Sequence, residues 1–134
     1  MAAGIHISED FYRKFGKKYP AETFICQEGD PGHTMYLINT GKIAILKSTV
    51  SGDKLLATLA DGDFFGEMAL MGLQDKRSAT AKTLAETTLL ELTTEAFEAL
   101  VRRSPELAIS IIKTLCERVR DSNSKVAAFA HKSD

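Results

Sequence analysis

The residues best suited to a specific chemistry lie in the segment 61–83. Gly66 and Glu67 open a short apolar stretch, and Arg77 follows ten residues after the glutamate. The first N–H groups of a helix have no intrahelical partner and attract an anion, and a nearby guanidinium adds charge-assisted hydrogen bonds. The spacing therefore predicts a phosphate-binding site. The simpler alternative is a surface ion pair between Glu67 and Arg77, which needs no ligand and contributes under about 1 kcal/mol.

Neither metal binding nor catalysis is expected. The three histidines, His6, His33 and His131, fall in three separate segments and do not form a ligand set. The sequence has no Ser/His/Asp or Cys/His arrangement and no paired-carboxylate motif. We therefore expect a binding protein without a cofactor, and not an enzyme.

Composition limits the other classes of function. The 134 residues suit a single domain (1–134), with 44% apolar and 26% charged residues, as in an ordinary globular protein. The formal net charge of −1 creates no field that would attract nucleic acid. No apolar run approaches the roughly 20 residues that span a bilayer, and the N-terminus lacks the layout of a signal peptide. We expect a cytoplasmic protein with no membrane contact, whose two cysteines, Cys26 and Cys116, are buried free thiols.

The stretch of about 20–92 predicts an antiparallel β-roll or jelly-roll barrel. Glycines recur about every ten residues, and the runs between them are rich in β-branched and apolar residues. The turn at 39–42 lies between two alternating runs and predicts a hairpin with one buried face. The Gly29–Gly32 cluster predicts a loop. Further strands are expected at Leu55–Leu59, Ala79–Thr83 and Thr87–Leu92.

Helices are expected at both ends of the roll, which makes the fold class α+β, mainly β. Ser8 predicts the cap of a short N-terminal helix that ends near Gly16. Over about 93–130, Thr93 or Thr94 caps one helix, and Ser104-Pro105 begins a long C-terminal helix. A short helix is also expected within the segment 61–83.

The long C-terminal helix carries a repeat typical of a two-helix coiled coil. The repeat predicts a homodimer through this helix, and the alternative is a helix that lies on the β-roll. Ser122 is the polar member of this seam, and its hydroxyl needs a partner from the facing chain, its own backbone or a ligand. The seam residues, spaced 3, 4, 3, 4, 3, are Ile112, Leu115, Val119, Ser122, Val126 and Phe129.

Together these features resemble a cyclic nucleotide-binding domain. The phosphate-binding cassette of that family begins Phe-Gly-Glu, continues with apolar helical residues and ends with Arg and two small residues. The matching residues are Phe65-Gly66-Glu67, Met68-Ala69-Leu70-Met71 and Arg77-Ser78-Ala79. More closely, the chain resembles the sensor domain of the bacterial catabolite activator (cAMP receptor) proteins.

The resemblance implies how the cassette binds its ligand. Arg77 would pair with the cyclic phosphate, helped by the Ser78 hydroxyl and by backbone N–H groups at Ser78 and around Met68-Ala69. Glu67 would accept a hydrogen bond from the ribose 2′-OH. This implies a sensor for cAMP, with cGMP as the alternative because Ser78 provides a hydroxyl that can also contact guanine.

The resemblance also implies residues that contact the base. Ile45, Leu56 and Met68 fall where the family places apolar side chains against it. Ser122 and Asn123 fall where the family places two polar residues on the dimer helix, one for its own subunit's ligand and one for the neighbour's.

The sequence departs from the family pattern at three points. The family's activators carry a DNA-binding domain after the long helix, and this sequence stops at Asp134, so we expect no direct DNA binding and signalling to an effector protein in trans. Ala69 and Asn123 stand where glycine and a small hydroxyl residue are common in the bacterial activators. A protein-interaction module with a vestigial cassette is the alternative from another class.

Overall fold

The computed structural model describes the backbone of residues 8–133 and the side chains of residues 8–123. Within this part of the chain the elements follow one another in the order α1 (Glu9–Phe15), β1 (Lys17–Tyr19), β2 (Phe24–Cys26), β3 (Met35–Thr40), β4 (Lys42–Thr49), β5 (Gly52–Ala60), β6 (Phe64–Phe65), α2 (Glu67–Leu70), β7 (Thr80–Thr83), β8 (Thr87–Leu92), α3 (Thr94–Arg103) and α4 (Pro105–Ser133).

The strands form two four-stranded antiparallel sheets. The first has the order β1-β8-β3-β6, and the second has the order β2-β7-β4-β5. Four helices, including the long α4, accompany the sheets in the described chain. The predicted fold class, a mainly β antiparallel roll with a long C-terminal helix, is confirmed.

Strand β3 separates two hydrophobic clusters, because it is buried on both faces. Met35 and Leu37 face the helices, where they pack with residues of α1, α3 and α4. Tyr36 and Ile38 face the space between the two sheets. A strand buried on both sides reads as a continuous apolar run, and all four of these residues are buried.

The predicted hairpin at 39–42 is wrong, because β3 and β4 belong to different sheets. The chain bends at Gly41, whose φ of 124° is accessible mainly to glycine. A Cβ at this position would overlap the side chain of Thr87. The glycine thus lets the chain cross between the sheets against β8, and β4 pairs with β5 and β7.

The predicted helix boundaries are reproduced at three starts. The Ser8 hydroxyl accepts a hydrogen bond from the Phe11 N–H at 3.2 Å, and the Thr93 hydroxyl accepts one from the Ala96 N–H at 3.2 Å. These contacts satisfy N–H groups that the helices themselves leave unpaired. Helix α4 begins at Pro105, where the missing N–H costs nothing.

The inner face of α4 packs against the hydrophobic cluster that contains Met35 and Leu37. Its contacts are made by Leu107, Ile111 and Leu115. Leu115, which was predicted to belong to the dimer seam, is half-buried and packs against the domain's own core. The predicted seam residues Val126 and Phe129 have side chains outside the described residues.

A second face of α4 carries an apolar stripe, hereafter the outer stripe, formed by Ile109, Ile112, Cys116 and Val119. These residues are spaced 3, 4 and 3 apart, so they fall within one narrow arc of the helix surface. All four are exposed to solvent.

Of the helices in the described chain, none combines the length and the apolar character that crossing a bilayer requires.

The two cysteines are free, and neither is fully buried. Cys26 is half-buried on β2, and Cys116 is exposed on α4. The expectation of buried thiols is therefore wrong for Cys116, since its position places it on the outer stripe.

Candidate functional site

The turn between β6 and α2 requires a glycine. Gly66 has a φ of 85° and caps α2 at its N-terminal end. A Cβ on this residue would lie 2.9 Å from the Thr34 carbonyl oxygen and 2.9 Å from Arg77 Nη1. Both the backbone conformation and the close packing exclude a side chain. The glycine therefore brings the start of the cassette helix next to the arginine ten residues later.

The guanidinium of Arg77 is buried, with only 8% of the residue exposed. Its Nη1 donates to the Thr34 carbonyl at 2.8 Å, and its Nη2 donates to the Thr34 hydroxyl at 2.9 Å. One face of the guanidinium lies over the ring of Tyr36, and the distance from Cζ to the ring centroid is 5.2 Å. Among the side chains that the structure describes, no carboxylate forms an ion pair with Arg77.

The Gly29–Gly32 loop holds the backbone of Arg77 in place. The Gly29 N–H donates to the Arg77 carbonyl at 2.8 Å, and the Arg77 N–H donates to the Asp30 carbonyl at 2.7 Å. Gly32 lies against the guanidinium so closely that a Cβ would overlap it. The loop predicted from its glycines and proline therefore has a specific structural role. It holds the Arg77 backbone through both its N–H and its carbonyl, and it packs against the guanidinium.

Ser78 is held by the second sheet. Lys47 Nζ on β4 donates to the Ser78 carbonyl at 2.7 Å and pairs with Glu28 at 3.3 Å. Glu28 also accepts a hydrogen bond from the Ser48 N–H at 2.9 Å. This backbone hydrogen bond, and secondly the one from Lys47, lowers the pKa of Glu28 from its usual value.

A cavity of about 480 Å³ opens beside Arg77, between the second sheet, the cassette and α4. The cavity brings together seven of the residues that we predicted for the site: Ile45, Gly66, Glu67, Arg77, Ser78, Ala79 and Ser122. Its volume lies in the range of small-molecule sites, roughly 300–1,000 Å³. Residues from three separate parts of the sequence thus meet at one buried cation.

Four predicted site residues lie outside the lining of this cavity. Leu56 is 53% exposed, and the shift of the β4–β5 register between Ile45 and Leu46 leaves it without a partner on β4. Its neighbours Ala57 and Leu59 line the cavity instead, so the prediction that Leu56 lines it is corrected.

The other three residues lie close to the cavity but face elsewhere. Met68 lines a neighbouring apolar groove between α2 and α4. Ala69 is buried under α2, so its side chain is directed into the protein. Asn123 is exposed, and its position on α4 places it on the same arc as the outer stripe.

Arg118 on α4 is a site residue that we did not predict. Its Nη1 lies 3.0 Å from Oε1 of Glu67, its Nη2 donates to the Phe64 carbonyl at 2.8 Å, and its Cζ lies 4.5 Å from the centre of the Phe64 ring. A signal was present in the sequence, since Arg118 precedes Ser122 by four residues and therefore shares its helix face. The contact ties α4 to the start of the cassette.

The remaining lining is mostly apolar or aromatic. Phe64, Phe65, Ala57, Leu59 and Ala81 contribute to the walls, together with Gln74, Asp121 and Cys26. Burial raises the pKa of the Cys26 thiol above its usual value. The site thus combines one buried cation, a carboxylate held by a second arginine and a largely apolar wall, which suits an anion attached to a flat organic group.

Comparison with known proteins identifies the family of the chain. Residues 16–104 match the family model described as cyclic nucleotide-binding domain. The chain is 36% identical over 106 residues to the cyclic AMP receptor protein of Thermus thermophilus, covering 78% of this chain and 49% of that protein. It is 40% identical over 99 residues to a cyclic nucleotide-gated potassium channel of Rhizobium etli, covering 74% of this chain and 26% of the channel.

A solved structure shows the same architecture. The crystal structure of Thermus thermophilus catabolite activator protein superposes with a TM-score of 0.74 at 31% sequence identity, covering 90% of this chain and 58% of that one. The chain spans about half or less of the length of these two curated relatives. Because the family model covers most of the roll and the cassette within it, the chain belongs to the cyclic nucleotide-binding domain family.

Proposed function

We propose that the cavity binds cyclic AMP and that the cyclic phosphate pairs with Arg77. The observation that carries this proposal is a buried guanidinium that faces a cavity and has no ion-pair partner among the described side chains. Burying a charge without a counterion is costly, so an anion that enters the cavity gains a strong charge-assisted contact. The similarity to a protein named as a cyclic AMP receptor supports the choice of adenine nucleotide.

The other lining residues suit the rest of such a ligand. Glu67 is proposed to accept a hydrogen bond from the ribose 2′-OH, and Ser122 on α4 is proposed to contact the base. Ile45 and Leu59 provide apolar surface for the flat ring. With these proposed contacts the cavity would recognise a whole nucleotide and not only inorganic phosphate.

Helix α4 is the proposed output element. It contacts the cassette through Arg118 and presents the outer stripe on a different face. Ligand binding can shift a helix only by the difference in affinity between its two positions. A contact from Ser122 to a bound base would supply that difference. We propose that α4 then passes the change to a second copy through the outer stripe, or to an effector protein.

Cyclic GMP is the second candidate ligand, because Ser78 lines the cavity next to Arg77 and offers a hydroxyl. A protein-interaction module with a vestigial cassette is the third candidate. It would require a cavity that binds no nucleotide.

Isothermal titration calorimetry with the Arg77→Ala variant tests the proposal. We expect binding of cAMP to weaken about a hundredfold, or on the order of 3 kcal/mol, because a charge-assisted phosphate contact is lost. Arg13→Ala removes an exposed arginine of α1 and serves as the matched control. Wild-type affinity for cAMP in Arg77→Ala would refute the proposed role of Arg77.

A thermal-shift panel of cAMP, cGMP and cyclic dinucleotides separates the candidate ligands, since a ligand that binds only the folded state raises its stability.

A further inference from the structure

Thr34 makes both of the hydrogen bonds that the structure shows from the Arg77 guanidinium. The carbonyl accepts from Nη1 at 2.8 Å, and the hydroxyl accepts from Nη2 at 2.9 Å. Two parallel contacts from one residue fix the plane of the guanidinium as well as its position. The N–H groups that Thr34 does not use remain as donors for an anion in the cavity.

Glu91 on β8 completes this arrangement. Its Oε2 lies 2.8 Å from the Thr34 hydroxyl and 3.3 Å from the Tyr36 hydroxyl. A hydroxyl has a single proton, and a guanidinium has no acceptor. The Thr34 proton is therefore directed to Glu91, and the oxygen's lone pairs are directed to Arg77. Hydrogen bonds run in one direction, from Arg77 to Thr34 to Glu91.

We infer that Thr34 and Glu91 are positioning residues of the anion site, which orient Arg77 before a ligand arrives. The inference rests on the proposed role of Arg77 and adds two residues that do not line the cavity. Preorganised donors avoid the cost of ordering a long side chain at the moment of binding.

The charge of Glu91 acts in the opposite direction, since a carboxylate near the site repels an anion. Glu91 is exposed, so solvent and salt screen its field. The Thr34 contacts are partly buried and are not screened in the same way. We therefore expect the orientation of Arg77 to outweigh the repulsion, so that the removal of either side chain weakens the binding of an anion.

The first test compares Thr34→Val, which removes the hydroxyl at nearly constant shape, with Thr34→Ser, which keeps it. We expect Thr34→Val to weaken cAMP binding about tenfold in calorimetry and Thr34→Ser to restore it to within about threefold of wild type. Thr83→Val is the control, because the buried Thr83 hydroxyl bonds to Pro20 and Thr23 outside the cavity. This control should lower the melting temperature and leave the dissociation constant unchanged. Equal affinity in Thr34→Val and wild type would overturn the inference.

The second test asks whether the two residues act through Arg77. Glu91→Gln keeps an acceptor for the Thr34 proton, and Glu91→Leu removes it, so only the leucine variant should weaken binding, by about fivefold. In an Arg77→Ala background, Thr34→Val should change the residual affinity by less than about twofold. An undiminished effect of Thr34→Val in that background would show that Thr34 acts independently of Arg77, contrary to the inference.

A measurement on the ligand-free protein separates this inference from the proposed function. Restricted rotation of a guanidinium gives distinct Nη–H signals in ¹H–¹⁵N NMR spectra. We expect such signals for Arg77 in the wild type and in Thr34→Ser, and their averaging in Thr34→Val. Averaged signals in the wild type would refute the positioning role, whatever the ligand. Distinct signals without cyclic nucleotide binding would leave that role intact and refute the proposed function.

Discussion

The guanidinium of Arg118 on α4 lies 3.0 Å from the carboxylate of Glu67 on α2. The two side chains are 37% and 18% exposed, so solvent only partly screens the pair. The same carboxylate lines the cavity and is the proposed acceptor for the ribose. If the cavity binds a nucleotide as proposed, the position of α4 and the binding of the ligand both involve the Glu67 carboxylate.

The role of Glu67 can be tested with a ligand that lacks the 2′-OH. We expect the wild type to bind cAMP about tenfold more tightly than 2′-deoxy-cAMP, because a hydrogen bond to a charged group is lost. In Glu67→Ala the difference should fall below about twofold. Glu98→Ala removes an exposed glutamate of α3 and should keep the full difference. Discrimination that survives in Glu67→Ala would place the ribose contact elsewhere.

Selectivity for the base should depend on Ser122 and Asn123 in different ways. Ser122 lines the cavity of its own chain, and Asn123 faces outward with the outer stripe. We expect Ser122→Ala to reduce the preference for cAMP over cGMP about fivefold at any protein concentration. Asn123→Ala should reduce it only at concentrations where the chain is dimeric. Competition titrations at two protein concentrations check both expectations, and unchanged selectivity in the double variant would mean that α4 does not read the base.

Two glycines with positive φ offer a matched comparison. Gly66 has a φ of 85° and packs on Arg77 and Thr34, whereas Gly72 has a φ of 77° and has nothing near its missing Cβ. Gly72→Ala should cost only the backbone strain, about 1 kcal/mol in urea unfolding. Gly66→Ala should cost about 2–3 kcal/mol and also weaken ligand binding, because its Cβ displaces the guanidinium. Equal effects of the two substitutions would contradict the close packing at Gly66.

The outer stripe predicts a specific crosslink. If α4 pairs with its copy in parallel through this stripe, the two Cys116 thiols face each other near the dimer axis. Mild oxidation should give a covalent dimer on non-reducing gels for wild type and Cys26→Ser, and none for Cys116→Ser. Val119→Glu should weaken the dimer in sedimentation equilibrium, because it places like charges in the interface. A monomer at all concentrations would refute the dimer.

The lowered pKa of Glu28 predicts a pH-dependent contribution to stability. The folded state releases this proton more readily than the unfolded state, so the contribution is present above the ordinary glutamate pKa of 4.5 and is lost as the pH falls through the lowered pKa of the folded state. Glu28→Gln should therefore be less stable than the wild type at pH 7, and the difference should shrink below pH 4.5. Urea unfolding at a series of pH values measures the difference. If the difference in stability between Glu28→Gln and the wild type stays constant down to acid pH, the pKa of Glu28 is not lowered in the folded state.

Local chemistry was readable from the sequence because its determinants are neighbours in the chain. Ser8, Thr93 and Pro105 marked helix starts, since a cap needs only the next few residues. The Gly-Glu to Arg spacing marked the cassette, and the family comparison agrees with that interpretation. The predicted hairpin at 39–42 was wrong because strand pairing depends on residues far along the chain. Gly41 instead packs against Thr87.

The sequence by itself therefore determined the family, the mainly β fold and the residues that carry charge in the cassette. Only the tertiary structure decided which side chains meet. Leu56 lies at a bulge in the β4–β5 register and is exposed, whereas its neighbours Ala57 and Leu59 line the cavity. The rotation of α4 on the core turns Leu115 inward and brings Arg118 to Glu67. Such contacts depend on strand register and helix orientation, which long-range packing sets and local spacing does not encode.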